Sequence, residues 1–190
     1  MQRALGTEEQ LHNVNGLMEQ LAYASSPKGA PALIVSDSTA LGSGKLGNVA
    51  RLIDYYSVSE SEFALATQSL QTMSLMGLPM VGLKQRSKLD SDPEYAKRSL
   101  MLETFQTSLT ALDFYALARR TLSAPELLAF NKLLRLKYVM MAYTRTQVFK
   151  QINFGTPFIR PLFFNYPGAT SKDLLGTSYL YGPSILSSNG

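Results

Sequence analysis

The sequence has no cysteine, no tryptophan and a single histidine, His12, in 190 residues. Without cysteine there can be no disulfide framework and no thiolate metal site. One histidine cannot build a ligand cluster, so neither a metal nor a cofactor is expected. Charge is also sparse. Lys and Arg total 18 against 14 Asp and Glu, a net charge of +4, and the basic residues are spread without interleaved aromatics. That is the pattern of a solvated surface, so no nucleic acid is expected as a partner. No run is long and charge-free enough to be a transmembrane segment, and the stretch Met1 to Glu9 has no apolar core of a signal peptide. No Asn begins an N-x-[ST] glycosylation acceptor. These absences leave the compartment open. What is present is an ordinary globular composition, 45% hydrophobic and 17% charged, sufficient for one core and too short for two substantial domains.

Short β-branched runs alternate with long amphipathic stretches. Leu11, Val14, Leu17, Met18 and Leu21 follow the 3.6-residue period of a helix that ends at Ser25-Ser26-Pro27. Ala32 to Val35 reads as a buried strand. Ser59 with Glu62 three residues later resembles a capping box, and the helix it opens runs to the stop at Gly77-Leu78-Pro79. Met80 to Leu83 is the next strand. Asp92-Pro93-Glu94 opens a helix through Leu100 and Phe105, and a strand is predicted near Leu112 to Leu117. Ser123, with Pro125 and Glu126 behind it, caps one long final helix to about Asn153, on which Tyr138, Met140, Met141 and Tyr143 are expected in the core. The rhythm is that of βαβ units.

Four segments carry a family resemblance, in the family's order. They are His12-Asn13-Val14-Asn15-Gly16-Leu17, Ser36-Asp37-Ser38-Thr39-Ala40-Leu41-Gly42-Ser43-Gly44-Lys45, Gly77-Leu78-Pro79-Met80-Val81-Gly82, and Gly155-Thr156-Pro157-Phe158-Ile159-Arg160-Pro161-Leu162 with Tyr179-Leu180-Tyr181-Gly182-Pro183 after it. Together they resemble glycoside hydrolase family 31, the α-glucosidase and α-xylosidase family, over nearly the whole chain. The resemblance implies an α/β fold: the C-terminal half of a catalytic (β/α)8 barrel, present as about three βα units over residues 1–160, with 161–190 as the start of the following β-domain or an extended tail. Three such units would leave sheet edges and an inner face uncovered, so a protein partner or the remaining barrel segment is expected to cover the open sheet. It also implies a secretory or lysosomal origin, to which no leader, cysteine or glycosylation acceptor adds support.

The chemistry implied by the resemblance is a retaining hydrolysis, which needs two carboxyl groups roughly 5–5.5 Å apart. The family's nucleophile lies in a W-x-D-M-N-E run that has no counterpart here. Its acid/base lies in an H-W-x-G-D-N stretch, and the best match is Ala50-Arg51-Leu52-Ile53-Asp54-Tyr55, which makes Asp54 the candidate acid/base. An Asp beside an arginine, as Asp54 is near Arg51 at the start of a helix-forming region, is more often a surface ion pair or a cap. Asp37 stands where the family has an arginine, Lys84 where it has an acidic residue, Thr107-Ser108 near its R-W pair, and Arg119-Arg120-Thr121 at its R-x-H. Arg119 is therefore the one candidate substrate-binding residue. Lys84 is expected to pair with Asp37 or Asp54, because an unpaired buried ammonium is costly.

Other features have structural explanations. His12 suits a hydrogen bond at its helix start. Gly42-Ser43-Gly44-Lys45 lacks the phosphate-loop spacing, because Leu46 comes after the lysine. Phe158, Phe163 and Phe164 are expected to anchor the barrel against the polypeptide C-terminal to it. Two functions stay in view: a catalytically degenerate, non-enzymatic relative serving as a structural or interaction subunit, or the C-terminal part of the catalytic domain of an active retaining α-glucosidase, which alone would bind carbohydrate.

Overall fold

A computed structural model describes residues 6–25, 33–55, 59–85, 102, 104–107, 118, 119 and 122–188. Helix α1 (Glu8–Ala24) precedes three parallel strands, β1 (Ile34–Ser36), β2 (Val49–Tyr55) and β3 (Met80–Gln85), in that spatial order. Helix α2 (Glu60–Leu75) connects β2 to β3. Helices α3 (Ala124–Val139) and α4 (Met141–Phe154) come next, then an antiparallel sheet of β4 (Ile159–Arg160), β5 (Ser178–Tyr181) and β6 (Ile185–Ser188), with the short α5 (Lys172–Thr177) before β5. This is an α/β fold whose parallel sheet has the character of part of a barrel. The helix expected from Asp92 lies for the most part outside the described residues, and the strand expected near Leu112 to Leu117 lies wholly outside them.

The central strand β2 is absent from the periodicity reading, which placed Arg51 and Asp54 at a helix start. Val49 and Ile53 bury against the Phe63 and Leu70 face of α2, so alternate positions of this segment meet a core, as in a sheet. Glu60, with Ser59 as N-cap, begins the helix instead. Asp54 is thus no helix cap.

Among the described residues, side chains meet the edge of β3 that faces away from β2. Thr107 Oγ1 accepts from the Val81 N–H at 2.6 Å and donates to the Val81 carbonyl at 2.9 Å. Buried Gln106 accepts from the Leu83 N–H at 2.9 Å. Thr107 stands near the position of the family's R-W pair, so a sheet-edge duty occupies that place.

One core joins both sheets. Phe158, Ile159, Tyr179 and Tyr181 are buried in the same cluster as Val49, Leu70 and Val81. Phe158 lies tilted against Tyr181 at 4.3 Å between ring centroids, and Phe105 meets Tyr181 edge-on at 5.8 Å. Phe158 is thus an anchor as expected, but Phe163 and Phe164 are 39% and 46% exposed. Tyr181 shares a 2.7 Å hydrogen bond with Thr144. Burial pushes its hydroxyl above the ordinary 10.0, opposed by the Thr144 bond and reinforced by Tyr143. The unfolded chain therefore ionises this group first. Its stabilising contribution is complete below about pH 10 and is lost as pH rises toward the folded-state value. Guanidinium unfolding at about pH 9 and about pH 11 should show that fall, and Tyr181→Phe should flatten part of it.

The predicted single final helix is two. Ser123 is the N-cap, as expected, and it forms a capping box with Glu126, whose carboxylate accepts from the Ser123 N–H at 2.9 Å. The helix breaks at Met140, whose ψ of -2° departs from helical geometry, and Thr144 Oγ1 donates back to the Met140 carbonyl at 3.1 Å. Met140 and Tyr143 pack on the core, but Tyr138 and Met141 are exposed. Four helical positions cannot all face one core when 138 and 141 lie on the outward arc.

Candidate functional site

Catalytic groups of barrel enzymes stand at the C-terminal ends of parallel strands, so the site is sought there. Asp37 directly follows β1, and Asp54 and Lys84 are each the penultimate residue of β2 and β3. The ladder makes Asp54 and Lys84 register partners, and Ser36 the partner of Arg51. Positions 54 and 84 share the parity of Ala50, Leu52, Met80 and Gly82, the face turned away from α2. Topology thus brings three of the sequence-predicted residues to one end of one sheet. It also ranks the two carboxylates expected near Lys84. Adjacent strands lie about 4.8 Å apart, so Asp54 is one strand from Lys84, whereas Asp37 is two strands away and ends a shorter strand. The side-chain pairing itself falls outside the described residues.

The turn carrying Asp37 is held by α1. Ser36 Oγ donates to the Ser38 carbonyl at 2.5 Å, and Gln20 Nε2 donates to the same oxygen at 2.8 Å. A Cβ on Gly16 would lie 2.6 Å from that carbonyl oxygen, so only glycine lets the helix approach this closely. Gly16 and Ser38 belong to two separate motifs of the sequence, and their contact explains why both are needed. His12 is exposed and its Nδ1 donates to the Glu9 carbonyl at 3.0 Å, the structural role expected of it. Ser43 is fully buried and its hydroxyl accepts from the Ala40 N–H at 3.1 Å, which gives the Gly42 to Lys45 run a packing role.

Arg119 is not brought to this end by any described contact. It is exposed and follows Ala118, which packs with Phe130 in a separate small cluster. Among the described residues no group of three His, Cys, Asp or Glu could hold a metal ion, and no helix is long and apolar enough to cross a membrane. An open cavity of about 480 Å³ lies on α3, lined by Leu128, Lys132, Arg135 and Tyr138 among others, and contains none of the candidate residues.

No family model matches the chain. It is similar to a probable alpha-glucosidase of Oryza sativa subsp. japonica, 26% identical over 185 residues, covering 94% of this chain and 21% of that protein. An alpha-glucosidase of Hordeum vulgare is 26% identical over 191 residues, covering 94% of this chain and 22% of that protein. The fold matches a Flavobacterium johnsoniae GH31 dextranase complexed with glucose, with a TM-score of 0.79 and 17% identity, over 99% of this chain and 25% of that one. Nearly the whole chain is thus similar to a segment of family 31 glycoside hydrolases. It spans about a fifth of the length of the curated relatives it matches. The strand-end residues were legible in the sequence, but the pair Gln106 and Thr107 on the edge of β3 was not, because side-chain bonds to a sheet edge leave no periodic signal.

Proposed function

We propose that this family 31 segment is catalytically degenerate and serves as a structural or interaction part of a larger assembly. The observation that carries the reading is the register pairing of Asp54 with Lys84 at the strand ends. A general acid must enter the reaction protonated. A cation in the neighbouring register position favours the ionised carboxylate and so works against that role. Asp37 adds an anion where the family has a cation, and the position of the R-W pair is taken by Thr107, which serves the edge of β3. The open face of the parallel sheet is the surface that partner polypeptide or further barrel segments would cover, and residues 161–190 are read as the start of the following β-domain.

The names of the relatives favour a second reading, in which this is the C-terminal part of an active retaining α-glucosidase with Asp54 as acid/base and Arg119 near the sugar. Hydrolysis of aryl α-glucosides and α-xylosides by the complete native protein separates the two. No turnover above background is expected. Turnover that drops by orders of magnitude in Asp54→Asn would overturn the degenerate reading and establish the second.

A further inference from the structure

Arg160 is only 6% exposed, yet among the described residues no carboxylate pairs with it. Its Nη1 donates to Asn165 Oδ1 at 3.4 Å, long for a charge-assisted bond, and its Nε is buried with no acceptor. The Phe164 ring lies 5.3 Å from the guanidinium carbon. A guanidinium removed from water without a counter-charge is expensive to keep. The turn over it is unusual as well. Phe163, Phe164 and Tyr166 are 39%, 46% and 59% exposed and rise from the same short segment as Asn165. A desolvated arginine under one aromatic ring, followed by two more exposed aromatics on the same short segment, is the composition of an interface centre and not of a solvated loop.

We propose that Arg160 is the socket for a carboxylate side chain, Asp or Glu, carried by polypeptide outside residues 1–190 and seated against Phe163, Phe164 and Tyr166. An incoming carboxylate would meet the small exposed part of the guanidinium, and its charge would offset the buried Nε–H that has no acceptor. The aromatic rim would exclude water from the pair. Polypeptide is the source because the matched relatives are about five times as long as this chain, so most of such an architecture lies outside it. The surroundings of Arg160 alone support the socket, and they do so under either reading of function.

Nitrogen-15 NMR of the arginine Nε–H groups tests it, with glutarate, inorganic phosphate and maltose compared on the purified chain at matched ionic strength. Glutarate is expected to shift one resonance, identified as Arg160 by its loss in Arg160→Lys. In Asn165→Asp, which supplies the carboxylate within the chain, that resonance should be displaced in plain buffer and insensitive to glutarate, and the unfolding midpoint should exceed that of the unmodified chain. No shift with glutarate, an equal or larger shift with phosphate or maltose, or an Asn165→Asp midpoint no higher than the original would each overturn the proposal.

Discussion

Gln151→Leu is expected to destabilise the fold by about 3 kcal/mol or more, because it orphans several buried backbone groups at once. Gln151 is 3% exposed on α4. Its Nε2 donates to the Ser74 carbonyl at 2.9 Å and to the Leu78 carbonyl at 2.8 Å, and its Oε1 accepts from the Phe158 N–H at 3.0 Å. One amide thus ties the C-terminal end of α2, the turn into β3 and the approach to β4. Leucine has similar bulk, so the loss would come from unsatisfied polar groups and not from a cavity. Gln147, one turn earlier on α4, is the control. It is 7% exposed and its side chain makes no hydrogen bond among the described residues, so Gln147→Leu should change stability by less than about 1 kcal/mol. Denaturant unfolding of both variants decides, and equal midpoints would remove Gln151 from its linking role.

The contrast between those two glutamines shows where the sequence could be read and where it could not. Both sit in a helix whose existence is set by local signals, and the Ser123 capping box is visible in sequence because its two members are three residues apart. Nothing local distinguishes Gln151 from Gln147, since the partners of Gln151 lie as far as 77 residues away. The same limit hid β2. Val49 to Tyr55 alternates too weakly in hydrophobicity, with Arg51 on the parity that packs on α2, and only pairing to β1 and β3 on both sides marks it as the central strand. The break at Met140 also lacks a glycine or proline signal. The strand-end placement of Asp37 and Lys84 was legible because the motifs that carry them sit beside β1 and β3. That of Asp54 was legible as a residue but not as a strand position.

The packing role of the glycine-rich run predicts an equally large effect at Gly44. A Cβ there would overlap the Gly77 carbonyl oxygen and lie 2.5 Å from its carbonyl carbon, both backbone atoms. Gly77 cannot easily yield. Its φ of +92° is the turn that closes α2, and its N–H bonds the Ser74 carbonyl at 3.0 Å, next to the atoms that Gln151 holds. Gly44→Ala must therefore push the short helical turn Ser43–Leu46 away from the end of α2. That shift would uncover buried Ser43 and disturb Leu46, which packs on the core. Overpacking against rigid backbone costs about 1–3 kcal/mol in ordinary cores, and a contact this short should reach or exceed the top of that range. Gly168→Ala is the matched control, because nothing lies within 4 Å of a Cβ added there. The expected outcome is a large fall in the unfolding midpoint for Gly44→Ala and almost none for Gly168→Ala. A Gly44→Ala chain with an unchanged midpoint would show that the turn approaches α2 more loosely than this overlap implies, and the Gly-Ser-Gly run would then need an explanation other than packing.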